Sequence, residues 1–160
     1  MKVLFVCLGN ICRSPSADGI LRKKLAEHGL ADKVVVDSAG TGDWHIGKAP
    51  DLRSQQAAAK RGYELSMLRA RQVESTDFNE FDYVLAMDSS NIENMQEFKP
   101  KGAVRTEPEL FLQRFGANTA ITEVPDPYYG GDQGFEEVLD LIEAACDNMI
   151  LEIKQKLAQP

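Results

Sequence analysis

The feature that most constrains the fold is a short segment near the N-terminus, residues 3–16, with the sequence VLFVCLGNICRSPS. It begins with an apolar run of aliphatic and aromatic residues, which is typical of a buried strand. Gly9 and Asn10 then indicate a tight turn. Ser14 and Pro15 predict a helix start, with Ser14 as N-cap and Pro15 as the first helical residue. The segment therefore predicts a strand, a tight loop and a helix in immediate succession.

A loop in this position can bind an anion of phosphate size. The backbone N–H groups of residues 8–13 can turn inward, and the positive end of the helix dipole adds to them. Arg13 contributes a planar guanidinium that can donate to two phosphate oxygens. Cys7 lies at the floor of this loop, where these donors favour its thiolate form. An anion site with a nucleophile beneath it suggests phosphoryl transfer through a cysteinyl-phosphate.

A simpler interpretation of the same residues also exists. A cysteine that ends a buried strand is usually a small core residue. The spacing of Cys7 and Arg13 alone also occurs often by chance. A strand, a Gly-Asn turn, an arginine and a Ser-Pro helix start in one run are much rarer, and this combination favours the functional interpretation.

Length, charge and cysteine content bound the class of protein. The 160 residues are enough to bury a core without disulfides or metals, and we predict a single domain over residues 1–160. The sequence shows no signal-peptide pattern and no apolar run of about 18 residues, which predicts a cytoplasmic protein that does not enter a membrane. Cys7, Cys12 and Cys146 match neither a disulfide framework nor a zinc site. The net charge of −7 weighs against nucleic acid as a partner.

The rest of the chain predicts alternating helices and strands. Helices are expected at residues 15–28, from about 50 to 61, at 78–80, from about 89 to 95, and from 134 onward. Strands are expected at residues 33–38 and 81–87, with weaker evidence for a fourth at 103–106, while residues 108–116 fit a helical turn or a loop. Cys146 lies on the apolar stripe of the last helix and is expected to be inert. This order predicts an α/β fold, an open, mostly parallel four-stranded twisted sheet with helices on both faces.

Three further residues are candidates for a site at the carboxyl edge of the sheet. Ser38 ends the second predicted strand and could hydrogen-bond Asn10, although an ordinary turn role explains it equally well. Trp44, in a glycine-rich loop, could form a wall for an aromatic substrate or could pack on the domain. Asp126 lies between two prolines, where a carboxyl group on a stiff loop could protonate a leaving oxygen, though such an aspartate is more often a turn residue.

Five segments together resemble the low-molecular-weight protein tyrosine phosphatase family, over nearly the whole chain. They are residues 7–14, residues 37–40 with Trp44, residues 69–72, residues 83–91 and residues 126–130. The resemblance implies the Rossmann-like fold of the phosphotyrosine phosphatase I type. It also implies that Cys7 is the nucleophile, Arg13 the phosphate clamp, and Asp126 the general acid of the first step and the base of the second.

The resemblance also implies the remaining roles in the site. Ser14 would stabilise the Cys7 thiolate, Ser38 would support the loop, and Cys12 would protect Cys7 from over-oxidation through a disulfide. The implied substrate-binding and phosphate-binding residues are Leu8, Gly9, Asn10, Ile11, Cys12, Ser14, Trp44, Tyr128 and Tyr129. No metal or cofactor is implied. The implied partners are proteins or peptides that contain phosphotyrosine, with inorganic phosphate as product, and the sequence is compatible with a weak homodimer that buries Tyr128 and Tyr129.

Three alternatives share parts of this pattern. Arsenate reductases use the same loop and fold but relay oxidation through further cysteines, and this chain has no cysteine pair in its middle region. Protein-arginine phosphatases have threonine at the position of Ile11 and lack the aromatic pair after the acid. A non-catalytic phosphate-binding module would not need Cys7, Arg13 and Asp126 together. The sequence therefore favours an aryl phosphate monoester as substrate.

Overall fold

The computed structural model describes residues 1–127 and 131–159. In chain order the elements are β1 (Lys2–Cys7), α1 (Arg13–Glu27), β2 (Val35–Gly40), α2 (Leu52–Lys60), α3 (Asp77–Glu80), β3 (Tyr83–Ala86), α4 (Ser89–Met95), β4 (Glu109–Leu110), α5 (Phe111–Phe115) and α6 (Gly131–Ala158). The four strands pair in the order β2-β1-β3-β4, and every pairing is parallel. The predicted α/β class with a four-stranded sheet is confirmed.

Both faces of β1 are buried, as a central parallel strand requires. Val3, Phe5 and Cys7 share one apolar cluster with residues of α1, α2, α5 and α6, and the Phe5 ring packs edge to face on Phe111 with ring centroids 5.0 Å apart. The alternate residues Leu4 and Val6 share a second cluster with residues of α3 and α4. Since β1 carries its apolar residues on both faces, its carboxyl end, where Cys7 lies, is fixed by the whole core.

The start of α1 differs from the prediction. The helix begins at Arg13, its N-cap is Cys12, and no side chain forms a capping hydrogen bond. Ser14 was predicted to be the N-cap, and this is wrong because its hydroxyl is engaged with the Cys7 sulfur and the Asn10 amide. The other end agrees with the prediction, because Gly29 follows the helix in the left-handed region with φ 71°.

The fourth strand was also predicted in the wrong place. Residues 103–106 lie outside the sheet, and β4 pairs instead with Leu85 and Ala86 of β3. The backbone N–H of Thr106 donates to the carbonyl oxygen of Phe78 at 2.9 Å, which ties this segment to α3. Ala103 and Arg105 are exposed, and Val104 is the one residue of the segment that packs on the core, so packing does not hold the segment as a strand.

The other elements agree with the prediction to within a few residues. Asp51 caps α2 by accepting hydrogen bonds from the N–H groups of Arg53 and Ser54, and Asp88 forms a capping box with Asn91 at the start of α4. The predicted strands are displaced at their ends, and α6 begins at Gly131. In the described part of the chain, no helix is both long and apolar enough to cross a membrane.

Candidate active site

The carboxyl end of β1 and the first turn of α1 bring Cys7 against Ser14. The Cys7 Sγ atom lies 2.9 Å from the Ser14 Oγ atom and accepts a hydrogen bond from the backbone N–H of Asn10 at 3.3 Å. Cys7 is only 3 % exposed, and Ser14 is fully buried. Two protein groups therefore lie within hydrogen-bond distance of the sulfur, and Cys7 is open to solvent over only a small area.

The side-chain amide of Asn10 determines which way the Ser14 hydroxyl points. Its Oδ1 atom accepts the backbone N–H of Arg71 at 3.0 Å, and since that N–H can only donate, the orientation of the amide is defined. The Nδ2 atom then donates to Ser14 Oγ at 2.8 Å and to Ser38 Oγ at 2.9 Å. Because Ser14 accepts from Asn10, its own proton can be directed at the Cys7 sulfur. The predicted hydrogen bond between Ser38 and Asn10 is present.

The backbone around this network is tightly packed. Asn10 itself has φ 57°, in the left-handed region. The N–H of Thr41 donates to the carbonyl oxygen of Cys7 at 3.0 Å, and the N–H of Gly42 donates to the carbonyl oxygen of Leu8 at 2.9 Å. A Cβ atom on Gly40 would lie 2.7 Å from the Leu8 carbonyl oxygen, so only glycine fits there. The loop that follows β2 thus fixes the loop that follows β1.

Arg13 supplies a buried positive charge next to Cys7. One of its terminal nitrogens donates to an Asp88 carboxylate oxygen at 2.7 Å and to the Val124 carbonyl oxygen at 3.0 Å. Burial alone would lower the pKa of Arg13, but the negative charges of Cys7, Asp88 and Asp126 outweigh it, and the pKa is raised. Arg13 therefore stays cationic although it is 4 % exposed.

A cavity of about 110 Å³ opens above this cluster. Its lining residues are Cys7, Leu8, Gly9, Ile11, Cys12, Arg13, His45 and Asp126. Asp126 is exposed, but Val124, two residues before it, and Pro127, directly after it, are buried, and the Val124 N–H donates to the Met87 carbonyl oxygen at 2.8 Å. A thiol, a guanidinium and a carboxyl group thus line one small cavity, as the chemistry of phosphate monoester cleavage requires.

Comparison with known proteins agrees with this geometry. The family model described as "Low molecular weight phosphotyrosine protein phosphatase" matches residues 2–159. The low molecular weight protein-tyrosine-phosphatase YfkJ of Bacillus subtilis is 40 % identical over 156 residues, which are 98 % of this chain and 97 % of that protein. The chain belongs to this family. The resemblance inferred from the sequence is confirmed.

Two solved structures are similar to the fold of this low molecular weight phosphatase family member. A protein tyrosine phosphatase from Entamoeba histolytica, crystallised with Hepes in its active site, superposes with a TM-score of 0.89 at 41 % identity and covers 98 % of both chains. A Drosophila arginine phosphatase superposes with a TM-score of 0.88 at 31 % identity, over 96 % of this chain and 98 % of that chain. The fold is therefore similar to that of phosphatases whose described substrates differ.

The structure brings together most of the residues that the sequence singled out. Trp44 is different, because it is 65 % exposed and does not line the cavity of the described residues. Its ring lies over Gly42, where a Cβ atom would come within 2.0 Å of it. Its role as a wall for substrate stays a prediction. Tyr128 and Tyr129 lie outside the described residues, so their predicted roles also stay predictions.

His45 lines the cavity, although sequence reasoning left open whether it meets substrate or only solvent. Its imidazole lies over Gly9, where a Cβ atom would be 3.0 Å from the ring. The parallel pairing of β1 and β2 could have indicated this contact, because it brings the loops after both strands to one edge of the sheet.

Cys12 differs from Cys7 in its chemistry. It is buried, and burial raises the pKa of Cys12 to about 12, against the smaller opposing effect of a hydrogen bond with Ser54. Cys7, Cys12 and Cys146 are all free thiols. The predicted disulfide between Cys7 and Cys12 stays a prediction. Within residues 1–127 and 131–159, no three His, Cys, Asp or Glu side chains cluster in a way that could hold a metal ion.

Proposed function

We propose that this protein is a protein tyrosine phosphatase that hydrolyses aryl phosphate monoesters through a cysteinyl-phosphate intermediate. The observation that carries the proposal is the cavity that Cys7, Arg13 and Asp126 line together. Membership of the low molecular weight phosphotyrosine phosphatase family supports it.

In the first step, the Cys7 sulfur attacks phosphorus in line with the bond to the phenolic oxygen. A sulfur–phosphorus bond forms and the phosphorus–oxygen bond breaks, and the electron pair leaves with the phenolic oxygen, which takes a proton from Asp126. The loop N–H groups and the cationic Arg13 stabilise the negative charge on the three equatorial oxygens. The products of this step are a phenol and phosphorylated Cys7.

In the second step, water attacks the phosphorylated cysteine. The Asp126 carboxylate accepts a proton from the water, an oxygen–phosphorus bond forms, and the sulfur–phosphorus bond breaks. The leaving sulfur recovers its negative charge, which the Ser14 hydroxyl at 2.9 Å and the Asn10 N–H at 3.3 Å stabilise. Inorganic phosphate is released, and each proton and each bond is accounted for by groups of this chain, the substrate and water.

We infer phosphotyrosine in proteins or peptides as the substrate class. Cys7 is 3 % exposed, and the apolar Leu8 and Ile11 line the same cavity. A phenyl phosphate is long enough to reach a buried sulfur past these side chains, whereas we expect the side chain of phosphoserine to be too short. We also propose that residues 1–160 form a single domain. We propose a cytoplasmic location, where the Cys7 thiol stays reduced, and weak dimerisation through Tyr128 and Tyr129.

Protein-arginine phosphatase is the second candidate, and the similarity to the Drosophila arginine phosphatase favours it. The side chain that distinguishes the two is Ile11, which contacts the cavity and fits a flat apolar ring better than a guanidinium. Arsenate reduction would need relay thiols, and Cys146 is fully buried in α6.

The test is a side-by-side measurement of rates with an aryl phosphate, phosphoarginine and arsenate. We expect hydrolysis of the aryl phosphate to be fastest, to be unaffected by a chelator, and to disappear in Cys7→Ala. Faster hydrolysis of phosphoarginine would favour the arginine phosphatase, and full activity in Cys7→Ala would contradict the proposed mechanism.

A further inference from the structure

Arg71 lies outside the cavity and holds two carboxylates of different elements together. Its Nε atom donates to Asp37 of β2 at 3.0 Å. Its two terminal nitrogens donate to the two carboxylate oxygens of Asp77 in α3, at 3.0 and 3.1 Å. This fork geometry matches a bidentate arginine–carboxylate pair, which fixes orientation as well as distance. One terminal nitrogen also donates to the Gln72 carbonyl oxygen at 3.2 Å, so four hydrogen bonds hold the side chain of Arg71.

The backbone of Arg71 is also paired, on two sides. Its carbonyl oxygen accepts the N–H of Gly40 at 2.8 Å, and the N–H of Val73 donates to the Gly40 carbonyl oxygen at 2.8 Å. These bonds attach the segment to the end of β2 through a parallel bridge between Gly40 and Gln72. The N–H of Arg71 points the other way and donates to the Asn10 Oδ1 atom at 3.0 Å. Arg71 thus links an outer ion cluster to the loop that contains Cys7.

We propose that Arg71 is a positioning residue for Cys7, which acts through Asn10 and Ser14. The two carboxylates fix the Arg71 side chain, and through it the position of the Arg71 N–H. That N–H fixes the Asn10 amide, and the amide directs the Ser14 proton at the Cys7 sulfur. This inference rests on the proposed function, because it concerns the same nucleophile.

Removal of the Arg71 guanidinium should weaken this series of hydrogen bonds and leave Arg13, the phosphate clamp, in place. Asp77, whose side chain is 4 % exposed, would lose its cationic partner, and Asp37 would lose its charge-assisted bond. Once the Arg71 N–H shifts, the Asn10 Oδ1 atom no longer has a donor in a fixed position. The Asn10 amide can then turn, and the Ser14 hydroxyl can point its proton away from the Cys7 sulfur. Arg13 keeps its own bonds to Asp88 and Val124. Binding of phosphate should therefore change less than the rate of the chemical steps.

The test compares Arg71→Met with Arg114→Met. The two arginine side chains are similarly exposed, 30 % and 37 %, and each pairs with carboxylate, but Arg114 pairs with Glu152, between α5 and α6. We expect Arg71→Met to lower kcat for an aryl phosphate about tenfold and to change KM less than about threefold, since small displacements at a reacting centre cost rate more than binding. Arg114→Met should keep wild-type values.

The readout that a merely structural role would not move is the pH profile of Cys7 alkylation by iodoacetamide. In Arg71→Met, alkylation should be slower than in wild type, and the difference should shrink as the pH rises, because the Ser14 hydroxyl no longer supports negative charge on the sulfur. Arg71→Lys should fall between the two, since lysine offers a point charge and cannot form the bidentate pair. In an Asn10→Ala background, Arg71→Met should add no further loss of kcat.

Several results would overturn the proposal. One is a folded Arg71→Met variant with the wild-type alkylation profile, and another is a loss of kcat that simply adds to that of Asn10→Ala. If circular dichroism shows that Arg71→Met is unfolded, Arg71→Lys and Asp37→Asn take its place, and wild-type profiles in both would refute the idea. A wild-type protein that alkylates normally but does not hydrolyse aryl phosphates would instead refute the proposed function.

Discussion

The hydrogen bond between Ser14 and Cys7 allows a sharp prediction for Ser14→Ala. The substitution removes the hydroxyl that lies 2.9 Å from the sulfur and also removes an acceptor of the Asn10 amide. Ser14 is fully buried, so water cannot easily replace the missing oxygen. Both the attacking and the leaving sulfur lose a donor.

The expected magnitude follows from the charge on the sulfur. A hydrogen bond to a charged group contributes about 1.5–3 kcal/mol, which corresponds to a loss of kcat of about 10- to 150-fold. The Asn10 side-chain amide would lose one of its two acceptors, and the buried N–H left unpaired should lower the free energy of unfolding by about 1–3 kcal/mol. The second step should suffer most, because the sulfur leaves as a thiolate in that step.

The assay is steady-state and pre-steady-state hydrolysis of an aryl phosphate, with urea unfolding of the same samples. Ser16→Ala is the matched control, because Ser16 is another buried serine in the first turn of α1, and its hydroxyl donates to the Cys12 carbonyl oxygen at 2.7 Å. It should lose stability but keep its kcat. For Ser14→Ala we expect a burst of phenol before slow turnover.

Two results would refute this reasoning. If Ser14→Ala kept kcat within about twofold of wild type, a donor at the sulfur would contribute less than about 0.5 kcal/mol to the slow step. If Ser16→Ala lost as much activity as Ser14→Ala, the effect would come from the packing of α1 and not from the thiolate.

Three further predictions concern the acid, the loop and the second cysteine. Asp126→Asn should slow hydrolysis about 10²- to 10⁴-fold for substrates with poor leaving groups and less for good ones; equal losses for both would contradict a general-acid role. Gly40→Ala should lower kcat/KM at least about tenfold, because the new Cβ would lie 2.7 Å from the Leu8 carbonyl oxygen and displace the loop; a rate equal to wild type would show that the loop tolerates the shift. Cys12, whose pKa burial raises to about 12, should stay unlabelled by iodoacetamide at neutral pH while Cys7 reacts, as peptide mass spectrometry can check; equal labelling of both would contradict it.

Much of the fold could be predicted from local sequence signals. The apolar run of β1 has a strand pattern, and Asp51 and Asp88 cap their helices as their side chains predict. Such signals depend on neighbouring residues, so a single sequence contains them. β4 could not be found in this way, because a two-residue strand has no periodicity of its own and is defined by its pairing with β3.

The site was predictable where its residues are close in sequence and less so elsewhere. Cys7 and Arg13 belong to one run, whereas the contact of Arg71 with Asp37 joins residues 34 positions apart. The error at Ser14 has the same origin. A serine before a proline favours an N-cap by local rules, but the buried sulfur and the Asn10 amide engage its hydroxyl instead. Functional requirements here override the local preference for a cap.

Identification of the phosphorylated residue tests the central claim most directly. The Ser14→Ala variant should be mixed with an aryl phosphate, quenched during the burst, and cleaved with trypsin for mass spectrometry. Because Cys7 and Cys12 lie in one tryptic peptide, fragmentation must separate them. We predict one phosphoryl group, on Cys7. A phosphoryl group on Cys12 or on another residue, or turnover with a phenol burst and no phosphorylated Cys7, would contradict the account.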